Sequence, residues 1–174
     1  MEDRLLYSNF ILEILARAPE SVLDLGGGTG ELVKFLEEDG VSAVCMDKSE
    51  EWWNNRVTDN FILHDISETP WPFTDKQFDL CTGFGVLKYI PEEKHESLFH
   101  EIARVTRRGF FGVGNGVKVS PLKIALFKSV EWWLARFTEI IPSYPIEVEP
   151  MRYSIIGRDA LLNRSPVKDY WRPK

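Results

Sequence analysis

Residues 21–40 constrain the fold more than any other stretch of the chain. Ser21-Val-Leu-Asp-Leu25 is an apolar run of strand length that stops at Gly26-Gly-Gly-Thr-Gly30. From Gly30 to Asp39 the pattern changes to a helical period, with Gly40 as its stop. Strand, glycine turn and helix in this order open a crossover unit of a parallel sheet. The alternation then repeats. Val41-Ser-Ala-Val-Cys-Met46 reads as a second strand, and Asp47, Ser49 and the glutamates after it open a helix. Phe61-Ile-Leu-His64 is a third strand and, after the Pro70-Trp-Pro-Phe73 turn, Phe78-Asp-Leu-Cys-Thr-Gly83 a fourth. Pro91–Val105 begins with proline and acidic residues and places Leu98, Ile102 and Val105 on one helical face. Phe110-Phe-Gly-Val113 is a fifth strand. Upstream, Leu5, Phe10, Ile11, Leu12, Ile14 and Leu15 form a helical stripe that stops before Pro19. The spacing predicts a doubly wound α/β fold: a mostly parallel sheet with helices on both faces.

A chain of 174 residues is one domain by length and can bury a core without a disulfide or metal staple. Cys45 and Cys81 sit in apolar runs and are expected as buried, reduced thiols. The formal charge of −6 disfavours nucleic acid as a partner. No secretory signal pattern and no apolar run long enough to span a membrane appear, so the expectation is a cytoplasmic protein. Beyond residue 120 the alternation weakens. An amphipathic segment over 122–141 carries Leu122, Leu126, Val130, Trp133, Phe137 and Ile140 on one side, with Ile124, Phe127 and Trp132 widening it. It could cover the sheet, cap an active site, or meet a partner protein, a second copy or a membrane surface. After the prolines at 142, 145 and 150, the terminal stretch has room for two short strands.

The glycine turn lies where a ligand of an open parallel sheet is held. It does not match the dinucleotide loop G-x-G-x-x-G, because Glu31 or Val33 stands at the last position in either register. The phosphate loop fails too, with Leu32 where lysine is required. Asp24 and Glu31 bracket the turn, and two carboxylates would repel a pyrophosphate. Asp47 ends the second strand at the distance from which an acid holds both hydroxyls of a ribose. A nucleoside with a cationic tail suits both observations. Asp24 read alone could cap the next turn, and Asp47 could cap a helix.

Val22-Leu-Asp-Leu-Gly-Gly-Gly-Thr-Gly-Glu-Leu32 resembles the cofactor loop of class I S-adenosylmethionine-dependent methyltransferases. Met46-Asp-Lys-Ser-Glu-Glu-Trp52 is similar to their ribose segment, and His64–Leu80 to the adenine-contact and fourth-strand segment of the small "type 11" branch. Gly85-Val-Leu-Lys-Tyr-Ile-Pro91 and Ile102-Ala-Arg-Val105 follow in the same order. The resemblance covers about residues 20–115. It implies that Asp24 and the backbone of Gly26, Gly27, Gly28 and Gly30 face the methionine moiety of S-adenosylmethionine. It further implies that Asp47 holds the ribose, Lys48 flanks the adenine, and Asp65 and Ile66 receive the adenine edge. Thr82, Gly83 and Phe84 would line the floor beneath the sulfonium. On this reading the cofactor half ends near residue 115, and residues 116–174 are a substrate or cover region of the same domain.

Methyl transfer is an in-line displacement for which alignment does most of the work, so no obvious base is required. Tyr89 is the first candidate for one, ahead of Lys88 and His64, although each also reads as an ordinary structural or surface residue. His95 and His100 are five apart on one helix, a spacing that does not suit a metal. Thr82-Gly-Phe-Gly85 stands where amino-methylating DNA enzymes carry a Pro-Pro segment, and Cys81 lacks the preceding proline of cytosine-C5 enzymes. Arg107-Arg-Gly109 replaces the usual Pro-Gly-Gly turn before strand five. The expected acceptor is a small molecule or a protein. The competing readings are a non-catalytic cofactor-binding partner subunit and, less well matched to the loop, a nicotinamide enzyme.

Overall fold

The computed structural model describes residues 2–113 and 128–150, with side chains from residue 9 onward. Its strands are β1 (Ser21–Leu25), β2 (Ser42–Asp47), β3 (Phe61–Leu63), β4 (Phe78–Phe84), β5 (Thr106–Val113) and β6 (Ile146–Pro150). The helices are α1 (Glu2–Ala16), α2 (Glu31–Glu38), α3 (Glu50–Asn54), α4 (His95–Val105) and α5 (Val130–Ile140). The sheet order is β3-β2-β1-β4-β5-β6 and every neighbouring pair is parallel. The order reverses between β1 and β4, so the loops that follow these two strands diverge and leave a crevice at their carboxyl ends.

Because side chains alternate along a strand, each central strand feeds two cores. Val22, Cys45, Leu80 and Phe110 pack with α1 and α2 on one face. Leu23, Met46, Cys81 and Phe111 pack with α4 and α5 on the other. This two-sided burial is why these strands read as continuous apolar runs. Both cysteines are free and buried, and burial pushes their thiols up from the usual range.

Three local expectations are corrected. β5 begins at Thr106, so Arg107-Arg-Gly109 is strand rather than turn. Arg108 is tolerated there because its guanidinium reaches Asp79 at 2.9 Å and the carbonyl of Arg17 at 2.8 Å. The helix expected from Pro91 starts with a 3-10 turn at Glu92–Lys94, and α4 proper begins at His95. Leu12, placed in the stripe of α1, is 62% exposed, while Phe10, Ile11 and Ile14 are buried.

Of the amphipathic segment, α5 is described and buries Trp133 and Phe137. Leu122, Ile124, Leu126 and Phe127 lie outside the described residues. β6 lies within the proline link, where no strand was expected, and the terminal stretch after Pro150, read as having room for two short strands, lies outside the described residues. Among the described residues no helix is long and apolar enough to cross a membrane.

α5 is anchored on His95. This imidazole is fully buried, stacks on Phe99 with centroids 5.2 Å apart and touches the rings of Trp132 and Trp133. Its Nε2 meets the Ile90 carbonyl at 3.3 Å, and no partner reaches Nδ1 among the described residues. Burial lowers its pKa below the usual 6.5, and Arg136 adds to the shift against the Ile90 carbonyl, Glu92 and Glu93. The unfolded chain therefore binds a proton more readily than the folded one between that lowered value and 6.5, and stability falls as pH drops through this window. Chemical denaturation at pH 7.5 and 5.5 should show a loss that His95→Phe reduces. An equal loss in both proteins would assign the acid sensitivity elsewhere.

Candidate functional site

β1 carries Asp24 to the carboxyl end of the sheet, between Cys45 of β2 and Thr82 of β4. Asp24 is 1% exposed, and its Oδ1 has no hydrogen-bond partner among the described residues. Burial raises its pKa well above the usual carboxylate range, and the nearby charge of Asp47 raises it further. A carboxylate this deep is costly without a cation or donor to compensate it.

The chain leaves Asp24 through the glycine turn. Gly26 and Gly28 both take left-handed backbone, at φ of +64° and +60°. A Cβ on Gly26 would lie 2.3 Å from Cγ2 of Val86, and one on Gly27 would lie 2.4 Å from Oδ2 of Asp24 and 2.7 Å from Sγ of Cys45. At Gly28 a Cβ would meet nothing within 4 Å, which marks the open side of the turn. Since Gly26 and Gly28 share one backbone conformation, their alanine variants share its strain and differ in the overlap with Val86. Gly26→Ala should be less stable than Gly28→Ala by about 1–3 kcal/mol. Adding Val86→Ala to the first variant should recover part of that gap in a denaturation series.

Asp47, at the end of β2, braces the turn. Its Oδ2 accepts the Gly28 N–H at 3.0 Å and its Oδ1 accepts the Ser49 N–H at 3.0 Å. Ser49 in turn caps α3 by accepting the Trp52 N–H. Each Asp47 oxygen keeps a further lone pair, and the two amides fix the carboxylate plane. The turn after β3 lies alongside, because the His64 N–H donates to the Asp47 carbonyl at 2.9 Å. Lys48 pairs with Asp65 at 2.9 Å, and Asp65 also accepts the Ser67 N–H and hydroxyl. These partners lower the Asp65 pKa against the burial that would raise it. Ile66 is buried, and its carbonyl accepts the indole N–H of Trp71.

The structure thus brings Asp24, Gly27, Gly28 and Asp47 together and joins Lys48, Asp65 and Ile66 to them through the β2 and β3 ends. Gly26 and Gly83 meet through Val86, which contacts the Cβ position of both. Thr82 is fully buried and its hydroxyl donates to the Phe110 carbonyl at 2.8 Å, so that side chain serves the sheet. The ring of Phe84 packs on Phe10 of α1. Tyr89 is half-buried in a 3-10 turn at Leu87–Tyr89, with the Lys88 ammonium 5.1 Å from its ring centre. His64 Nε2 lies 2.7 Å from the Glu68 carbonyl, which it holds as a turn clamp. Cys45, Val86 and Trp71 were not singled out as site residues by sequence, because no spacing rule announces a side chain that supports a loop from behind. Among the described residues, no group of three or more acidic, histidine or cysteine side chains could hold a metal. A cavity of about 390 Å³ lined by Lys76, His100, Arg107 and Tyr144 opens at the amino ends of β5 and β6, the other end of the sheet.

An open parallel sheet whose order reverses between β1 and β4, with Asp24 and the glycine turn at that switch point, defines a doubly wound α/β protein. Residues 22–109, just over half of the chain, match the family model described as a methyltransferase domain, and the chain belongs to the class I methyltransferase family. No curated protein matches it. Among solved structures it is similar to a TehB-like S-adenosylmethionine-dependent methyltransferase from Corynebacterium glutamicum, at 25% identity and a TM-score of 0.50, over 55% of each chain. It is similar in fold to an S-adenosylmethionine-dependent methyltransferase from Archaeoglobus fulgidus, at 19% identity and a TM-score of 0.53, over 62% of this chain and 51% of that one. The PH0226 protein from Pyrococcus horikoshii shares the fold at 22% identity and a TM-score of 0.51, over 60% of this chain and 52% of that one. The chain spans about half the length of each of these structures.

Proposed function

We propose that this chain transfers the methyl group of S-adenosylmethionine to a small-molecule or protein acceptor. The cofactor assignment is supported by the family match and by S-adenosylmethionine-dependent structures of the same fold. The observation that supports the site most is the buried Asp24 Oδ1, which has no donor among the described residues, beside a turn that has open space at the Cβ position of Gly28. A ligand bearing an ammonium and a sulfonium fits that charge, as a phosphate would not.

On this reading the backbone of Gly26, Gly27, Gly28 and Gly30 and the Asp24 carboxylate hold the methionine end. Asp47, its plane already fixed by two amides, accepts from the ribose hydroxyls. Lys48, Asp65 and Ile66 border the adenine. Thr82, Gly83 and Phe84 contribute main chain and packing at the end of β4. When bound, S-adenosylmethionine supplies a methyl group activated by its sulfonium. The chain's own part is alignment, and holding nucleophile and methyl in line contributes about 7–11 kcal/mol in well-oriented systems. Tyr89 is the side chain proposed to receive or orient the acceptor. The residues beyond about 115 are proposed to choose it.

Calorimetry with S-adenosylhomocysteine, followed by a labelled-methyl assay over a size-fractionated cell extract, tests the reading in two stages. Binding followed by label in the small-molecule or protein fraction is the expected result. Absence of binding would remove the cofactor site. Binding with no label in any fraction would favour a non-catalytic partner subunit.

A further inference from the structure

The turn that follows β3 is held from behind by α4. The Trp71 indole is buried, and its Nε1–H donates to the Ile66 carbonyl at 3.1 Å. The Trp71 amide donates to Oε1 of Glu101 on α4 at 2.6 Å. Arg104, one turn further along α4, grips the same segment: Nη2 meets Glu101 at 2.6 Å and the Trp71 carbonyl at 3.3 Å, while Nη1 meets the Phe73 carbonyl at 2.9 Å and Asp75 at 2.8 Å. The front of the turn is fixed separately, by Lys48 on Asp65 and by the bond from His64 N–H to the Asp47 carbonyl. From behind, one buried donor holds the Ile66 carbonyl, and that donor is anchored through Glu101 on α4, thirty residues further along the chain.

A ligand lying across the carboxyl ends of β1 and β2, tail on the glycine turn and ribose on Asp47, extends its base toward β3, the next strand in the sheet order. We infer that Trp71 is a positioning residue for base recognition: by pinning the Ile66 carbonyl, it places the main-chain edge of residues 65–66 against the base, with Glu101 and Arg104 holding Trp71 in register. This rests on the reading of the glycine turn and Asp47 as the cofactor site. The geometry is that of a fixed wall behind a polar edge, so its effect is on discrimination between bases more than on methyl transfer itself.

The test compares S-adenosylhomocysteine with S-inosylhomocysteine, in which a carbonyl replaces the exocyclic amine and N1 carries a proton, by calorimetry on the full chain. The wild type is expected to prefer the adenosyl compound by about tenfold or more, the loss typical when a site built to pair a polar group meets a ligand without it. Trp71→Phe keeps an aromatic ring and removes the N–H; it should bring the preference to within about threefold, with KM for S-adenosylmethionine raised and kcat little changed. If Trp71→Phe does not fold, the benzothienyl analogue of tryptophan inserted at position 71, isosteric and lacking only the N–H, replaces it. An unchanged preference, or equal weakening of both ligands as a general structural defect would give, overturns the inference. Failure of the wild type to bind either compound would instead overturn the cofactor reading.

Discussion

Asp24→Asn is expected to raise the unfolding temperature of the ligand-free protein and to weaken S-adenosylhomocysteine binding by about 30- to 100-fold. The two effects have one origin. The Asp24 carboxylate is buried, its Oδ1 has no partner among the described residues, and it feels the charge of Asp47, so folding without ligand works against both. Asparagine removes the charge and nearly preserves the shape, and stabilisation of about 1–2 kcal/mol is the usual gain when a strained functional group is neutralised. That corresponds to a few degrees in a chain of this size. The same charge is what a cationic ligand end would pair with, and losing a charge-assisted bond costs about 2–3 kcal/mol of binding. The pH dependence carries a sign that tests the cause. Because the folded-state pKa is raised, the folded protein binds this proton more tightly than the unfolded chain. Stability from this group is complete below the usual 3.8 and is lost as pH rises through the raised value. Thermal unfolding across that range should show a decline that Asp24→Asn removes and that a bound cationic ligand reverses. A variant less stable than the wild type at every pH, with binding intact, would make Asp24 a structural cap.

Asp47→Ala is the second large effect, and it moves stability the other way. The Asp47 carboxylate is the acceptor for two amides, from Gly28 and Ser49, and alanine leaves both without a protein acceptor. A loss of about 1–3 kcal/mol in chemical denaturation is expected, reduced by whatever repulsion on Asp24 is relieved. Binding should fall further than stability alone explains, by about 100-fold, since the turn loses its brace and the ribose its acceptor. Asp47→Asn keeps one carbonyl oxygen and should lie between the two. Equal affinity in wild type and Asp47→Ala, measured by calorimetry, would show that the ligand does not reach the end of β2.

The central strands and the glycine turn were legible because their physics is local. Two-sided burial leaves an apolar run in β1, β2 and β4, and left-handed backbone leaves glycines at 26 and 28, with the close approach of Val86 a second reason at 26. Asp47 was legible by its place at a strand end. What escaped was set by tertiary contact. The start of β5 is masked by Arg107 and Arg108, whose charges argue against a strand until Asp79 is found beside Arg108. Leu12 satisfies a helical period yet faces outward, since a period locates a stripe and not its width. Trp71 sits among prolines and reads as a turn filler. Its bond to Ile66 and its anchor on Glu101, thirty residues away, have no signature in spacing. Thr82 and Phe84 were expected to line the floor beneath the sulfonium; that their side chains also meet the Phe110 carbonyl and the Phe10 ring has no signature in spacing, because only the assembled sheet brings those partners near.

The strand order also bears on how the molecule is made. β1 and β4 are neighbours in the sheet, with Val22 opposite Leu80, yet β2 and β3 intervene between them in the chain. During synthesis β1 can pair with β2 while its other edge, destined for the middle of the sheet, stays open until β4 has emerged. Such an edge is apolar on both faces and offers unpaired backbone to any passing chain. A fragment ending before Phe78 would keep it open permanently, and aggregation through β1 is its expected fate.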